Sequence, residues 1–282
     1  MTAPFSLQAM FQVDAFASEL FTGNPAAVIK RDDWLPREVM QKIAAENNLS
    51  ETVFIVARST ESDNKGTGFD LRWFTPTLEI DFCGHATIAA AHILATEYGL
   101  KPPFTFRTKI GGLSVIVKDG LYILDAPIAE AMPVKVSKAM QKPFDGRVQN
   151  AFTAGNNLYL VMNDPHYIAT CHPDMGDIIP LSDHGVGITA KAPDDDTNLS
   201  QYDCVSRFFV PAEGIDEDPV TGSAHAAIGP YWMDELRVNK LRAYQASKRG
   251  GVLTLSREND SRIAIAGHAV TYLRGEIVIP TA

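Results

Sequence analysis

Apolar and polar positions along the chain alternate between strand-like runs and helical stripes, and one part of that pattern is met twice in related form. Phe11-Gln-Val-Asp-Ala-Phe16 reads as a strand, Thr22-Gly23-Asn24-Pro25 as a turn, and Ala26-Ala-Val-Ile29 as the next apolar run. Leu35, Val39, Met40, Ile43 and Ala44 form a stripe at helical spacing, which predicts a helix over 35–45 with Pro36 in its first turn and Asn47-Asn48 at its end. Val53–Val56 is apolar on both faces, so it predicts a buried strand with Glu51 at its mouth. Strands are expected at 104–108, 113–118 and 121–125, with hairpin turns at Gly111-Gly112 and Asp119-Gly120.

Two further segments, Gly84–Ala95 and Gly222–Trp232, are apolar or small nearly all round, which predicts helices buried on every side. Gly229-Pro230 is expected to end or kink the second. Each follows a related motif: Arg72-Trp-Phe-Thr-Pro76 leads to Cys83-Gly84-His85-Ala86, and Arg207-Phe-Phe-Val-Pro211 leads to Thr221-Gly222-Ser223-Ala224. A Gly-Asn turn, Gly23-Asn24 or Gly155-Asn156, precedes each copy at similar distance. Two similar halves follow, 1–126 and 127–269, divided in the stretch Ala126–Pro143. The strand text of Arg262–Ile279 suggests a last strand near 270–282 returning to the first half. The fold class is α+β, with antiparallel sheets wrapped around a buried helix.

Composition narrows the function. The 282 residues are 45% hydrophobic and 21% charged, and no charge-free stretch reads as a membrane span. A net charge of −9 leaves no clustered positive surface for a nucleic acid. The N-terminus lacks the basic and apolar regions of a secretory signal, so a cytoplasmic location is expected. Cys83, Cys171 and Cys204 are too scattered for a disulfide framework or a zinc cluster, and Asp164, His166, Cys171 and His172 fit no zinc spacing and read as surface residues. No dinucleotide fingerprint, P-loop or nucleophile elbow occurs, so neither a metal nor a cofactor is expected.

Candidate chemistry gathers at the helix starts, whose free N–H groups and dipole favour an anion such as a small carboxylate substrate. Glu51, entering a buried strand, loses solvation, which raises a carboxyl pKa and suits a general acid or base; the ordinary alternative is a strand-end carboxylate paired with an arginine. Asp218 before the second helix is ordinarily a cap, although the polar run Asp218-Pro-Val-Thr-Gly-Ser-Ala-His225 exceeds what capping needs. A histidine on an apolar helix is ordinarily a satisfied core residue, but His85 sits at the N-terminus itself, where it can donate to a substrate. Cys83 invites a thiol-base reading, yet a two-thiol racemase needs a second cysteine where the repeat has Thr221.

Asn24 in Phe21-Thr-Gly-Asn-Pro-Ala-Ala-Val28, Glu51 in Asn48-Leu-Ser-Glu-Thr52, Cys83-Gly-His-Ala-Thr87 and Asp218-Pro-Val-Thr-Gly-Ser-Ala-His225 together resemble the PhzF phenazine-biosynthesis-like family over nearly the whole chain. That resemblance implies a diaminopimelate epimerase-like fold of two pseudo-symmetric domains, each a β-barrel wound round a central helix, with the active site between them. It also implies a homodimer and cofactor-independent proton transfer on a carboxylate-bearing substrate; the family's phenazine enzyme isomerises dihydro-hydroxyanthranilate. By position, Glu51 matches the catalytic acid/base and His85 and Asp218 the supporting polar residues. Asn24, Cys83, Gly84, Thr221, Gly222 and Ser223 are then the candidate substrate contacts. Two other functions stay open at this point: an amino-acid epimerase using Cys83, and a non-catalytic module that binds small anions.

Overall fold

The computed structural model describes residues 5–58 and 68–280. The chain divides into two compact units, Met1–Asp125 with Ala266–Ala282, and Ala126–Ile265. Among the described residues no helix is long and apolar enough to cross a membrane.

The first unit runs β1 (Phe5–Ala15), β2 (Asn24–Arg31), α1 (Arg37–Asn47), β3 (Glu51–Ala57), β4 (Gly68–Phe74), β5 (Glu79–Ile80), α2 (Gly84–Thr96), β6 (Phe104–Thr108), β7 (Gly111–Lys118) and β8 (Leu121–Pro127). β1 pairs antiparallel with β2, β2 parallel with β3, β3 antiparallel with β4, β4 parallel with β6, and β6, β7 and β8 form an antiparallel meander, while the short β5 hangs antiparallel on β4. The strand Ala269–Pro280 returns along the other side of β1. Every residue of α2 from Gly84 to Leu94 is buried, as a helix of Ala, Ile, Leu, Thr and two histidines must be. The turn before β2 depends on Gly23: its φ is +67°, and a Cβ there would lie 2.2 Å from the Ala15 carbonyl oxygen.

The second unit repeats this order with β9 (Met132–Val134), a short α3 (Lys138–Gln141), β10 (Asn150–Ala154), β11 (Asn157–Val161), the short helices α4 (Pro165–Thr170) and α5 (Met175–Ile178), β12 (Val186–Lys191), β13 (Cys204–Val210), β14 (Ile215–Glu217), α6 (Gly222–Leu236), β15 (Lys240–Gln245), β16 (Gly251–Arg257) and β17 (Arg262–Gly267). Its pairings follow the same alternation: β10–β11 antiparallel, β11–β12 parallel, β12–β13 antiparallel, β13–β15 parallel, β15–β16 antiparallel, with β14 hung on β13. The fold class read from the sequence is therefore the observed one, an α+β chain in which the strands of each unit serve a buried helix.

Several local expectations need correction. α1 starts at Arg37, because Pro36 is extended (ψ 141°) and its carbonyl accepts from the N–H groups of Val39 and Met40. Gly111 and Gly112 open β7 opposite Thr108 and Arg107, so the hairpin turn is Lys109-Ile110. α6 runs unbroken through Pro230 to Leu236. Proline frees the carbonyl four residues back, and that carbonyl, of Ala226, accepts from the Ala129 N–H at 3.1 Å instead. Of the four residues read as a surface loop, Asp164 caps α4 and His166 pairs with Asp195, but Cys171 is buried.

Candidate active site

Parallel pairing of β2 with β3 sets Ala26 opposite Glu51, which brings the β2 entry residue Asn24 to the same end of the sheet as the Glu51 carboxylate. α2 starts at that end. Its N-cap is Cys83, which makes no side-chain cap bond, and its first turn carries Gly84 and His85. The Cys83 carbonyl accepts from the Thr87 N–H at 3.2 Å and from the Thr87 hydroxyl at 2.6 Å, fixing the turn.

Four of the candidate side chains then meet. His85 Nε2 lies 2.7 Å from Glu51 Oε2. On the other side of the ring, Asn24 Nδ2 lies 3.1 Å from His85 Nδ1 and Cys83 Sγ 3.4 Å from it. An amide NH₂ only donates, so with Asn24 in this orientation a neutral His85 ring accepts at Nδ1 and carries its proton on Nε2, which stands at ion-pair distance from Glu51 Oε2 without the alignment of a hydrogen bond. Asn24, Cys83 and His85 are buried, while the Glu51 side chain keeps 14% of its exposure. Burial pushes the Cys83 thiol up to about 11, and the Glu51 charge adds to that push. Burial also opposes an imidazolium at His85, but its contacts with the Cys83 sulfur and the Glu51 carboxylate outweigh that and hold His85 well above the usual histidine range.

The second unit gathers Asp218, Thr221, Gly222 and Ser223 at the start of α6. The N-cap is Thr221 and not Asp218, and its side chain makes no cap bond, because the Thr221 hydroxyl donates to Asp218 Oδ2. Gln245, at the end of β15 and fully buried, fixes this segment: its Oε1 accepts from the Thr221 N–H at 2.8 Å, and its Nε2 donates to the Asp218 carbonyl at 2.7 Å and to Thr221 Oγ1 at 3.2 Å. His225 is a core residue. Its Nδ1 donates to the Thr221 carbonyl at 2.8 Å, Nε2 faces the Ser206 hydroxyl at 3.1 Å, and burial brings it down to about 4.

Strand register gives the equivalences that the motifs alone left open. Phe74 pairs with Thr52 in the first unit and Phe209 with Val186 in the second, so Gly185 occupies the place of Glu51. A side chain there has no room: a Cβ on Gly185 would lie 2.2 Å from the Phe208 ring and 3.1 Å from Asn157 Oδ1. Thr221 replaces Cys83 and Ser223 replaces His85. The repeat does conserve one ion pair. The Arg72 guanidinium forks onto Glu79 (2.8 and 2.9 Å), and Arg207 forks onto Glu217 (2.7 and 2.9 Å), each tying the hairpin ahead of its buried helix.

Sequence reading quoted both arginines without their partners, although each glutamate stands at the same distance before its helix-leading glycine. It missed Gln245 altogether. The available signal was parity, since Leu241, Ala243 and Gln245 share the buried face of β15.

The sequence profile described as Phenazine biosynthesis-like protein (PhzC-PhzF) matches residues 13–275. An uncharacterized isomerase of Pseudomonas aeruginosa is 40% identical over 269 residues, covering 94% of this chain and 97% of its own. A crystal structure of a PhzF-family phenazine biosynthesis protein from Enterococcus faecalis superposes with a TM-score of 0.87 at 39% identity, covering 96% of this chain and 99% of that one. A hydroxyproline epimerase of Agrobacterium vitis, 11% identical, shares the fold alone, with a TM-score of 0.60 over 98% of this chain and 93% of its own. The chain thus belongs to the phenazine biosynthesis-like (PhzF) family and is an isomerase.

Proposed function

We propose that this isomerase moves a proton between two carbons of a small carboxylate-bearing substrate, without a cofactor, using Glu51 as the one base that takes and returns it. The observation that carries the reading is the asymmetry of the repeat. Glu51 is held at 2.7 Å from His85 Nε2, whereas the matching place in the second unit is Gly185, filled against by the Phe208 ring.

In this proposal Oε2 stays against His85 while Oε1 of Glu51 approaches the substrate C–H. The His85 Nε2–H stabilises the carboxylate before transfer, and Asn24 holds the tautomer that presents it. The proton then passes from Glu51 to a second carbon, so one residue acts first as base and then as acid. The start of α2 is not capped by its N-cap side chain, which leaves N–H groups near Gly84 for the substrate carboxylate. Asp218 is assigned a supporting role in binding, with its carboxylate set by Thr221. A cytoplasmic homodimer completes the proposal.

Amino-acid epimerisation through Cys83 finds less support, because the thiol holds its proton up to about 11 and its counterpart Thr221 is no base. The test is exchange of carbon-bound hydrogen in D₂O across a panel of amino and hydroxy acids. Glu51→Gln is expected to abolish exchange and Cys83→Ala to leave most of it. Exchange unchanged in Glu51→Gln would sink the assignment, and its loss in Cys83→Ala would favour the epimerase.

A further inference from the structure

Gln245 is a fully buried polar side chain at the end of β15, and its amide bonds at three points to segment 218–221. We infer that Gln245 is a positioning residue for the proposed reaction: it aims the Thr221 hydroxyl at Asp218, so that the Asp218 carboxylate meets the substrate as a fixed hydrogen-bond acceptor. The inference rests on the supporting role in binding proposed for Asp218, and it is independent of which residue moves the proton.

The direction of each bond follows from donor chemistry. A backbone N–H can only donate, so the Gln245 atom 2.8 Å from the Thr221 nitrogen is the amide oxygen and the other end of the amide is the NH₂. A carbonyl can only accept, and the NH₂ lies 2.7 Å from that of Asp218. Its second hydrogen goes to Thr221 Oγ1 at 3.2 Å. The threonine oxygen is thereby an acceptor toward Gln245, and its own proton goes to Asp218 Oδ2. A carboxylate has about four acceptor sites, so this bond orients Asp218 without exhausting it. What such a group takes from a substrate is a donor, an N–H or an O–H. Ser247, two residues beyond Gln245, donates to the Pro219 carbonyl at 2.7 Å and ties the same segment a second time.

Among the described residues the first unit has no such relay. Phe106 and Arg107 pair with Phe69 and Asp70 as Ala243 and Tyr244 pair with Cys204 and Val205, so Thr108 follows where Gln245 does. The Thr108 hydroxyl donates locally, to the Gly111 carbonyl at 2.8 Å, and Cys83 in the place of Thr221 has no hydroxyl to aim. A strand end that needed only to close the sheet would be served by the short residue of the first unit. The long buried amide stands on the unit that carries Asp218.

The experiment measures competitive inhibition of carbon-bound hydrogen exchange in D₂O, with the amino or hydroxy acid that the wild type exchanges fastest as reporter. Each inhibitor is an amino or hydroxy acid of the panel paired with the same acid lacking that group. The wild type is expected to bind the donor-bearing member at least about tenfold more tightly, as a hydrogen bond to a charged group implies. Gln245→Leu and Thr221→Val should each cut that ratio to under about threefold, and Thr221→Ser should recover most of what Thr221→Val loses, with circular dichroism confirming that each variant is folded. A merely structural Gln245 would weaken both members alike, so an unchanged ratio in Gln245→Leu overturns the inference, as does a wild type without preference. Asp218→Ala keeps the two readings apart. A ratio lost there but kept in Gln245→Leu removes the positioning role alone, whereas a ratio that survives Asp218→Ala removes the role of Asp218 and this inference with it. Exchange that survives Glu51→Gln sinks the base assignment and leaves the ratio to be read.

Discussion

Replacing Gln245 by Leu tests whether one buried amide holds the segment that presents Asp218. Leu keeps the volume within reach of the Gln side chain but strips three bonds: the acceptor for the Thr221 N–H at 2.8 Å, the donor to the Asp218 carbonyl at 2.7 Å and the donor to Thr221 Oγ1 at 3.2 Å. A buried donor left unpaired costs about 1–3 kcal/mol, whereas a partly exposed carbonyl recovers a water and costs about 0.5–1.5 kcal/mol. Thr221 is buried and Asp218 half-buried, so the sum is about 2–4 kcal/mol, less what the added apolar contact returns. The local readout is hydrogen exchange at the Thr221 amide, where a loss of about 2 kcal/mol corresponds to roughly 30-fold faster exchange. Urea unfolding gives the global value. Protection at Thr221 changed by less than about threefold would refute the reasoning, because it would mean that water takes over the amide's bonds at no cost.

Three other outcomes follow from the same contacts. The Arg72 fork, against the opposing pull of burial and with help from Arg37 and Lys109, holds Glu79 at about 2; a depressed carboxyl stabilises fully above its ordinary 4.5 and loses that contribution as pH falls toward 2, so Arg72→Leu should flatten the acid limb of a stability–pH curve, and an unchanged limb would count against the pair. Gly185→Ala should cost about 1–3 kcal/mol in urea unfolding, because its Cβ drives into the Phe208 ring, and a cost under about 0.5 kcal/mol would show that the ring moves aside freely. Phe5 and Leu7 on β1 and Val278 opposite Leu7 leave an exposed apolar face, so Leu7→Glu should turn the proposed dimer into a monomer in sedimentation velocity; a monomeric wild type would end that proposal.

Local composition made much of the fold legible. A helical stretch of small and apolar residues without a charge has nowhere to be but inside, and α2 and the part of α6 ahead of the exposed Asp234 and Glu235 are where that rule puts them. The Gly155-Asn156 turn joins β10 and β11 as turn chemistry requires. Long-range partners were not legible. Pro230 looked like a helix end because the donor that relieves its freed carbonyl, Ala129, lies a whole domain's worth of chain upstream. Gly111-Gly112 looked like a turn because two glycines suit one, and only the pairing of Gly111 with Thr108 shows them inside a strand. At the site, the motifs picked out Asn24, Glu51, Cys83 and His85 separately, while their meeting on one imidazole depends on the parallel register of β2 and β3.

That register also separates frame from chemistry. Both units keep the alternating strand order, the arginine–glutamate fork and the uncapped glycine-led helix, which are the features that pin a helix start against a strand end. Only the first keeps a carboxylate, a thiol and an imidazole there. The difference is built into packing and not merely into side-chain identity, because Phe208 fills the space that a second base would need and Asn157 Oδ1 accepts the Gly185 N–H at 3.1 Å. Gly185→Glu alone therefore cannot restore symmetry: the new side chain would have to expel an aromatic ring from the site before its carboxylate reached any substrate. That packing is the reason the proposed reaction is assigned to one base, on the first unit.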